Sequence, residues 1–365
     1  MVLVVLVCSA LPVLLPLGAC SKQSEEVPAI TAESNLIPFR KGGSWGFSDA
    51  KKTLIIKPDY DSAEPFSEGL AKVGRGHSGF VDKTGKLLIP LEYDNAFSFS
   101  DGLALVCKDA PSRLCGFIDQ SGKEIIPLKY EEARPFVEGL AAVKQKKKWG
   151  FIDKTGKEMI PLKYEGADSF SDDLALVILN NKYGFIDKNG KVSIPFKYDG
   201  GRSFSENTAT VARRLITRTG PNSTFVEIQW GFIDKDGKEL IPFGKYNEAH
   251  PFHEGLAGVI LVDKSTNINS LGYIDKDGKE VIPFKYSFRM IPINQIYNEA
   301  VFGDFSEGLV QVCLNKKWGY IDKSGQEIIP FKYDEAEAFS KDLGKVKLGG
   351  NVGYVGRDGT EYFEP

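Results

Sequence analysis

Residues 139–170 read GLAAVKQKKKWGFIDKTGKEMIPLKYEGADSF. Leu140 to Val143 is an apolar run of strand length, and the Lys-rich stretch 144–148 is a solvated hairpin turn. From Trp149 to Asp153 the alternation of a strand puts Trp149 and Phe151 on one face and Ile152 on the other. Gly150 lets a neighbouring backbone or ring approach closely. In Asp153-Lys154-Thr155-Gly156 the aspartate opens a tight turn and the glycine supplies positive φ, as in a three-residue hairpin with a bulge. Lys157 to Ile160 returns as the partner strand, and Pro161 stops it or marks an edge. Tyr164 to Ala167 adds a short fourth strand. Helical periodicity is absent.

The same text recurs along the chain. The glycine between two aromatics returns at Gly46, Gly79, Gly116, Gly150, Gly184, Gly231, Gly272, Gly319 and Gly353, with a basic period of 34 residues. A proline follows eleven residues after seven of these, for example Pro127 and Pro161. Tyr-x-x-Ala comes next, then Phe-x-acid-Gly, whose acid is Glu68, Asp101, Glu138, Asp172, Glu206, Glu254 and Glu307, with Lys341 in the last unit. An acid that recurs in every unit reads as structural. Both faces of each hairpin carry apolar residues, so a unit buries them only by stacking on its neighbours.

The expected fold is therefore all-β: a tandem array of about nine short hairpin or meander repeats over 36–365. Nine hairpins exceed the roughly 4–8 blades of common propellers, which favours an open twisted stack. A propeller-like closed ring is the alternative. The Trp-Gly, Asp-Lys-x-Gly-Lys, Ile-Pro-x-x-Tyr and Phe-x-Glu-Gly-Leu elements at fixed offsets resemble the WG-repeat (KWG-repeat) family. The resemblance spans nearly all of 36–365. Ser78, Cys115, Tyr183, Leu271 and Val352 depart from it by replacing Trp.

Composition agrees. The chain has 365 residues, 24 Phe, 14 Tyr, 4 Trp and 38 Gly, and the repeat columns hold most of the aromatics. A net charge of −3 argues against a nucleic-acid partner. Only 3 His are present, which removes the commonest general base and metal ligand.

Residues 1–21 carry no charged side chain, and an apolar stretch runs from Val2 to Ala19. Leu17-Gly18-Ala19-Cys20 resembles the lipobox of bacterial lipoprotein signal peptides. That resemblance implies a signal peptide over 1–19, lipid on Cys20, and a flexible tether over 20–35. It makes the membrane a partner through the lipid. Ser21 fits an outer-membrane address in the cell envelope. The basic residues that open most signal peptides are missing, so translation is expected to start a few residues upstream.

Three insertions break the period, near 212–229, 261–270 and 287–304. Loops on a rigid array are where binding residues concentrate. Arg213, Arg214 and Arg218 in the first, and Phe288, Arg289 and Met290 in the third, are the binding candidates. The third, richer in apolar residues, reads as a packed flap. Cys107 and Cys115 flank a short loop between adjacent strands and suit a disulfide in an oxidising compartment. Cys313 reads as a buried single thiol.

No cofactor, metal site or catalytic set is expected. Gly74 to Gly79 matches a dinucleotide-loop pattern, but a strand and turn follow where a helix is required. His250-Pro251-Phe252-His253 offers two imidazoles, yet Pro251 prevents a helical face that would converge them, and no third ligand is near in sequence. The expected function is a lipid-anchored, non-catalytic and monomeric envelope scaffold that binds an unknown protein or glycan. The alternatives are an envelope glycan hydrolase using Glu227, Asp304 or Glu299, and a spacer without a ligand of its own.

Overall fold

In the fourth unit the strands Ala141–Gln145, Lys148–Ile152 and Glu158–Tyr164 pair antiparallel. Lys146 and Lys147 both take positive φ, 49° and 61°, as a two-residue type I′ hairpin requires. At the next turn Asp153 Oδ1 accepts the backbone N–H groups of Thr155 at 2.9 Å and Lys157 at 3.1 Å. The marker glycine has a steric role. A Cβ on Gly150 would stand 2.6 Å from the Ile160 carbonyl oxygen, because the third strand crosses tightly over it. The ladder skips there: Trp149 pairs with Tyr164 and Phe151 with Ile160.

The short fourth strand lies elsewhere than the sequence suggests. Gly166–Ala167 pairs with Leu174–Leu179, the first long strand of the following unit. The chain thus leaves one sheet at Tyr164 and enters the next after a single residue, so every unit boundary is stitched by the backbone.

The computed structural model describes residues 35–109, 112–220, 223–263, 268–292 and 298–364. Among them, nine sheets of three or four strands succeed one another as the blades of a β-propeller. The expectation of an open stack is overturned in favour of the closed ring. Ile37–Lys41 belongs to the first blade, and Arg40 bridges in parallel to Phe363 at the far end of the chain. Arg40 N donates to the Tyr362 carbonyl, and Glu364 N donates to the Arg40 carbonyl at 2.9 Å. Leu343, Tyr354 and Tyr362 share one apolar cluster with Phe39, Trp45 and Phe47. An open stack would leave both end faces of these apolar blades in water. Closure buries them against each other, which is the favourable term.

Packing between blades is itself periodic. The aromatic after the marker glycine meets the Phe of the next unit's turn at eight junctions. Examples are Phe117 on Phe136 at 4.7 Å and Phe151 on Phe170 at 4.9 Å between centroids. At the ninth junction Trp45 meets Tyr354 edge-on at 5.7 Å. Tilted and edge-on pairs of this kind add roughly 0.5–1.5 kcal/mol beyond their buried area.

The recurrent acid of each turn joins neighbours too. Asp101 accepts the Gly139 N–H at 3.1 Å, Glu138 that of Asp173 at 3.2 Å, and Glu206 that of Gly255 at 3.0 Å. Lys188 then reaches Glu138 at 3.0 Å, and Lys323 reaches Glu254 at 3.0 Å. These carboxylates hold turns together.

The first insertion continues its blade's hairpin outward. Thr208–Gly220 and Ser223–Asp234 pair from Thr208↔Asp234 to Gly220↔Ser223. The second extends Ala257–Asp263 and Ile268–Ile274 in the same manner. The third holds a separate two-stranded sheet, Arg289–Pro292 with Asn298–Val301.

Candidate functional site

Besides the Trp column, a further residue column escapes the repeat. The position after Tyr-x-x-Ala (Tyr-x-x-Gly in the fifth unit) reads Glu64, Phe97, Arg134, Asp168, Arg202 and His250 in the first six units and Glu337 in the eighth, the third insertion interrupting the seventh. In the second to seventh blades it follows the two-residue strand that begins the blade, and the fold brings four of these positions together. Arg134, Asp168, Arg202 and His250 line one cleft of about 560 Å³ with Ser171, Ser205, His253 and Asp304. Trp149 and Tyr183 contribute aromatic wall.

Its charges are arranged in pairs. Arg134 Nη2 lies 2.7 Å from Asp168 Oδ1, and Arg134 Nε donates to the Ala167 carbonyl at 2.9 Å. Its guanidinium sits 5.7 Å from the Trp149 ring centroid. Arg202 repeats the motif, 2.9 Å from Glu248 Oε1 and 5.3 Å over Trp230. Each arginine is thus held over an indole, within cation–π range, by a carboxylate.

The two imidazoles do converge, without a helix. His250 Nδ1 donates to Asp304 Oδ1 at 2.8 Å, while His253 Nε2 stands 3.9 Å from Asp304 Oδ2. Ser205 Oγ is 3.3 Å from His253 Nδ1. The first separation is a hydrogen bond and the second exceeds one, so Asp304 orients His250. Phe302 stacks on His250 with centroids 3.8 Å apart. Among the described residues, no cluster of three or more His, Cys, Asp or Glu has the arrangement to hold a metal ion.

The sequence candidates fall in several places. Asp304, at the end of the third insertion, reaches the cleft. Arg213 lies flat over Phe243 at 3.8 Å, covering its own blade. The Arg214 backbone N–H is tied to Asp199 at 2.9 Å, and Arg218 is exposed on the outward ribbon. Glu227 stands on that ribbon beside Gln229. Phe288 is half-buried against a second cavity. Arg289, Met290 and Glu299 are placed on the small sheet, with side chains outside the described residues. Cys20, the lipobox and the tether up to residue 34 also lie outside them. Cys107 and Cys115 are directly opposed on neighbouring strands and bonded, with Cα atoms 4.1 Å apart. Cys313 is free and buried.

Sequence reading missed Arg134, Asp168, Arg202 and Ser205. For the first three the available signal was a column that varies between repeating Tyr and Phe columns.

No curated protein matches the sequence. Among solved structures, the chain resembles puromycin hydrolase with a TM-score of 0.42 and 11% identity, over 73% of this chain and 53% of that one. It thus spans about half the length of that structure. It also resembles apo AztD from Citrobacter koseri, with a TM-score of 0.37 and 12% identity, over 90% of this chain and 93% of that one. The repeat profile described as "WG containing repeat" matches residues 45–75, 79–110, 116–149, 149–183, 183–212, 230–263, 272–288, 293–318 and 318–351. With most of its length so matched, unit after unit around the ring, the chain belongs to the WG-repeat family.

Proposed function

We propose that this protein is a lipid-anchored scaffold of the bacterial cell envelope that binds a polar ligand, protein or glycan, without transforming it. The observation that carries the reading is the convergence of four members of the non-repeating column, from consecutive blades, on one cleft. A structural repeat needs no Arg, Asp, Arg and His at equivalent positions, whereas a recognition surface does. Asp168 and Glu248 each lie against an arginine, and Asp304 accepts from the His250 imidazole. Such pairs orient side chains for recognition. The lipobox-like Leu17–Cys20 supports the anchor, and the Cys107–Cys115 disulfide supports an oxidising compartment.

Two experiments test it. Fatty-acid labelling of cells should mark the protein and vanish in Cys20→Ser; labelling that survives the substitution refutes the anchor. For the cleft, envelope extract is passed over the chain from Ser21 onward and over its Arg134→Ala and His253→Ala variants. A component retained by the parent and released by both variants supports the cleft. Equal retention by all three removes it.

A further inference from the structure

A second cavity, of about 710 Å³, lies between the eighth and ninth blades. The eighth blade contributes Trp318 from the strand Lys317–Asp322 and Cys313 from Leu309–Leu314. The ninth contributes Glu335 and Glu337 from Glu335–Ser340, and Lys345 and Lys347 from Leu343–Leu348. Phe288 and Phe302, which flank the small two-stranded sheet of the third insertion, complete the wall. Phe302 also stacks on His250, so one ring divides this cavity from the first cleft.

Two features set it apart from the equivalent junctions. Trp45, Trp149 and Trp230 are all buried, at 5–7% exposure, whereas Trp318 in the same column is half-buried. Trp149 and Trp230 lie beneath Arg134 and Arg202, while the cavity opens beside Trp318. The facing strand differs as well. Where the fifth blade has Leu176 and Ile178, the ninth has Lys345 and Lys347 together, whereas the second and fourth blades carry one such lysine each, Lys72 against Glu64 and Lys144 against Glu132. Lys345 and Lys347 pair with Glu337 at 3.4 Å and Glu335 at 3.2 Å. All four charges remain substantially open to water.

The chemistry narrows the ligand. Two carboxylates against two ammoniums leave these four groups without net charge, so a simple anion or cation gains little. An aliphatic ligand would strip water from four charges without replacing their hydrogen bonds. A pyranose has an apolar C–H face for the half-buried rings of Trp318 and Phe288. Its edge of hydroxyls both donates and accepts, so it can bond carboxylates and ammoniums alike. Hydrogen bonds to charged partners are roughly twice as strong as neutral ones.

We propose that this cavity is a saccharide-binding site, with Trp318 as the stacking platform and Glu337 and Lys345 as the hydroxyl-reading pair. It is separate from the polar cleft and goes beyond the function proposed for that cleft.

The test titrates the chain from Ser21 onward, which contains every blade, with glucose, N-acetylglucosamine and their β-1,4-linked trimers. Tryptophan emission and saturation-transfer NMR are followed together. Covering half-buried Trp318 should shift emission to the blue. Saturation by a monosaccharide as well as its trimer indicates a site for a single free residue. Saturation by the trimers alone indicates a polymer site. Either result supports the proposal if Trp318→Ala and Glu337→Gln each weaken binding about tenfold or more. Glu337 is exposed, so its substitution tests the contact without threatening the fold. Arg134→Ala, in the other cleft, should leave this binding unchanged, so failure of one site is distinguishable from failure of the other. Absence of binding by all four sugars at millimolar concentration overturns the proposal, as does binding that neither cavity variant alters.

Discussion

Lys341 Nζ donates a hydrogen bond of 2.6 Å to the carbonyl oxygen of Phe66, 275 residues away in sequence. Lys341 stands in the column that is acidic in the seven preceding turns. In those turns a carboxylate accepts N–H groups from the following turn. Glu307 does so to Lys341 itself at 2.7 Å, and to Asp342 at 2.9 Å. At the seam the polarity reverses, and an ammonium reaches the first turn of the ring. Burial holds its pKa below the usual lysine value, while Glu64 and Glu68 pull it upward.

Lys341→Glu should loosen the seam. It would set a carboxylate near Glu64 and Glu68 and remove the contact with Phe66. The expected outcome is a lower melting temperature, with hydrogen exchange accelerated first in residues 36–48 and 351–364. Uniform acceleration around the ring, or an unchanged melting temperature, contradicts the assignment.

The Cys107–Cys115 bridge spans eight residues of sequence. Closing so short a loop contributes about 2–3 kcal/mol in the chain-entropy account. Denaturation of Cys107→Ser/Cys115→Ser, or of the parent in reductant, should show a loss of that size. The non-reduced peptide should weigh two hydrogens less than the reduced one.

Trp149→Ala should cost about 3–5 kcal/mol, the usual range for emptying a buried indole site. Trp149 is buried beneath Arg134 and Lys144. Trp318→Ala should cost clearly less, because Trp318 already borders open space. Chemical denaturation of the two variants side by side decides the difference.

Gly150→Ala should fail to fold or be severely destabilised, since its Cβ would meet backbone rather than a movable side chain. Circular dichroism of the purified variant, or its recovery only in inclusion bodies, checks this. A stable Gly150→Ala would mean that the strand crossing is less tight than described.

The turn aspartates set an acid limit. The Thr155 hydroxyl, and then backbone N–H groups, hold the Asp153 carboxyl below its usual pKa; Ser121 does the same for Asp119 and Ser324 for Asp322. A carboxyl depressed in the folded state contributes stability that is fully present above the unfolded value of about 3.9. That contribution is lost as pH falls through the folded value. Stability should thus decline below about pH 4, and NMR titration of Thr155→Ala should show the Asp153 pKa moving up.

Much of this protein is written locally. Asp153 to Gly156 determines a turn, Lys146 and Lys147 a hairpin, and Gly150 a close crossing, because each depends on residues within a few positions of itself. Repeated nine times, these choices determined an all-β array from sequence alone. Closure was a different matter. It rests on the Arg40–Phe363 bridge and the Lys341–Phe66 contact, whose partners are separated by most of the chain. A small change of tilt at each junction decides between stack and ring, and no local pattern encodes that sum. The cleft was illegible for the same reason. Arg134, Asp168, Arg202, His250 and Asp304 belong to different units and carry no motif between them. Only the ring, by turning equivalent positions of successive blades toward one space, makes neighbours of them.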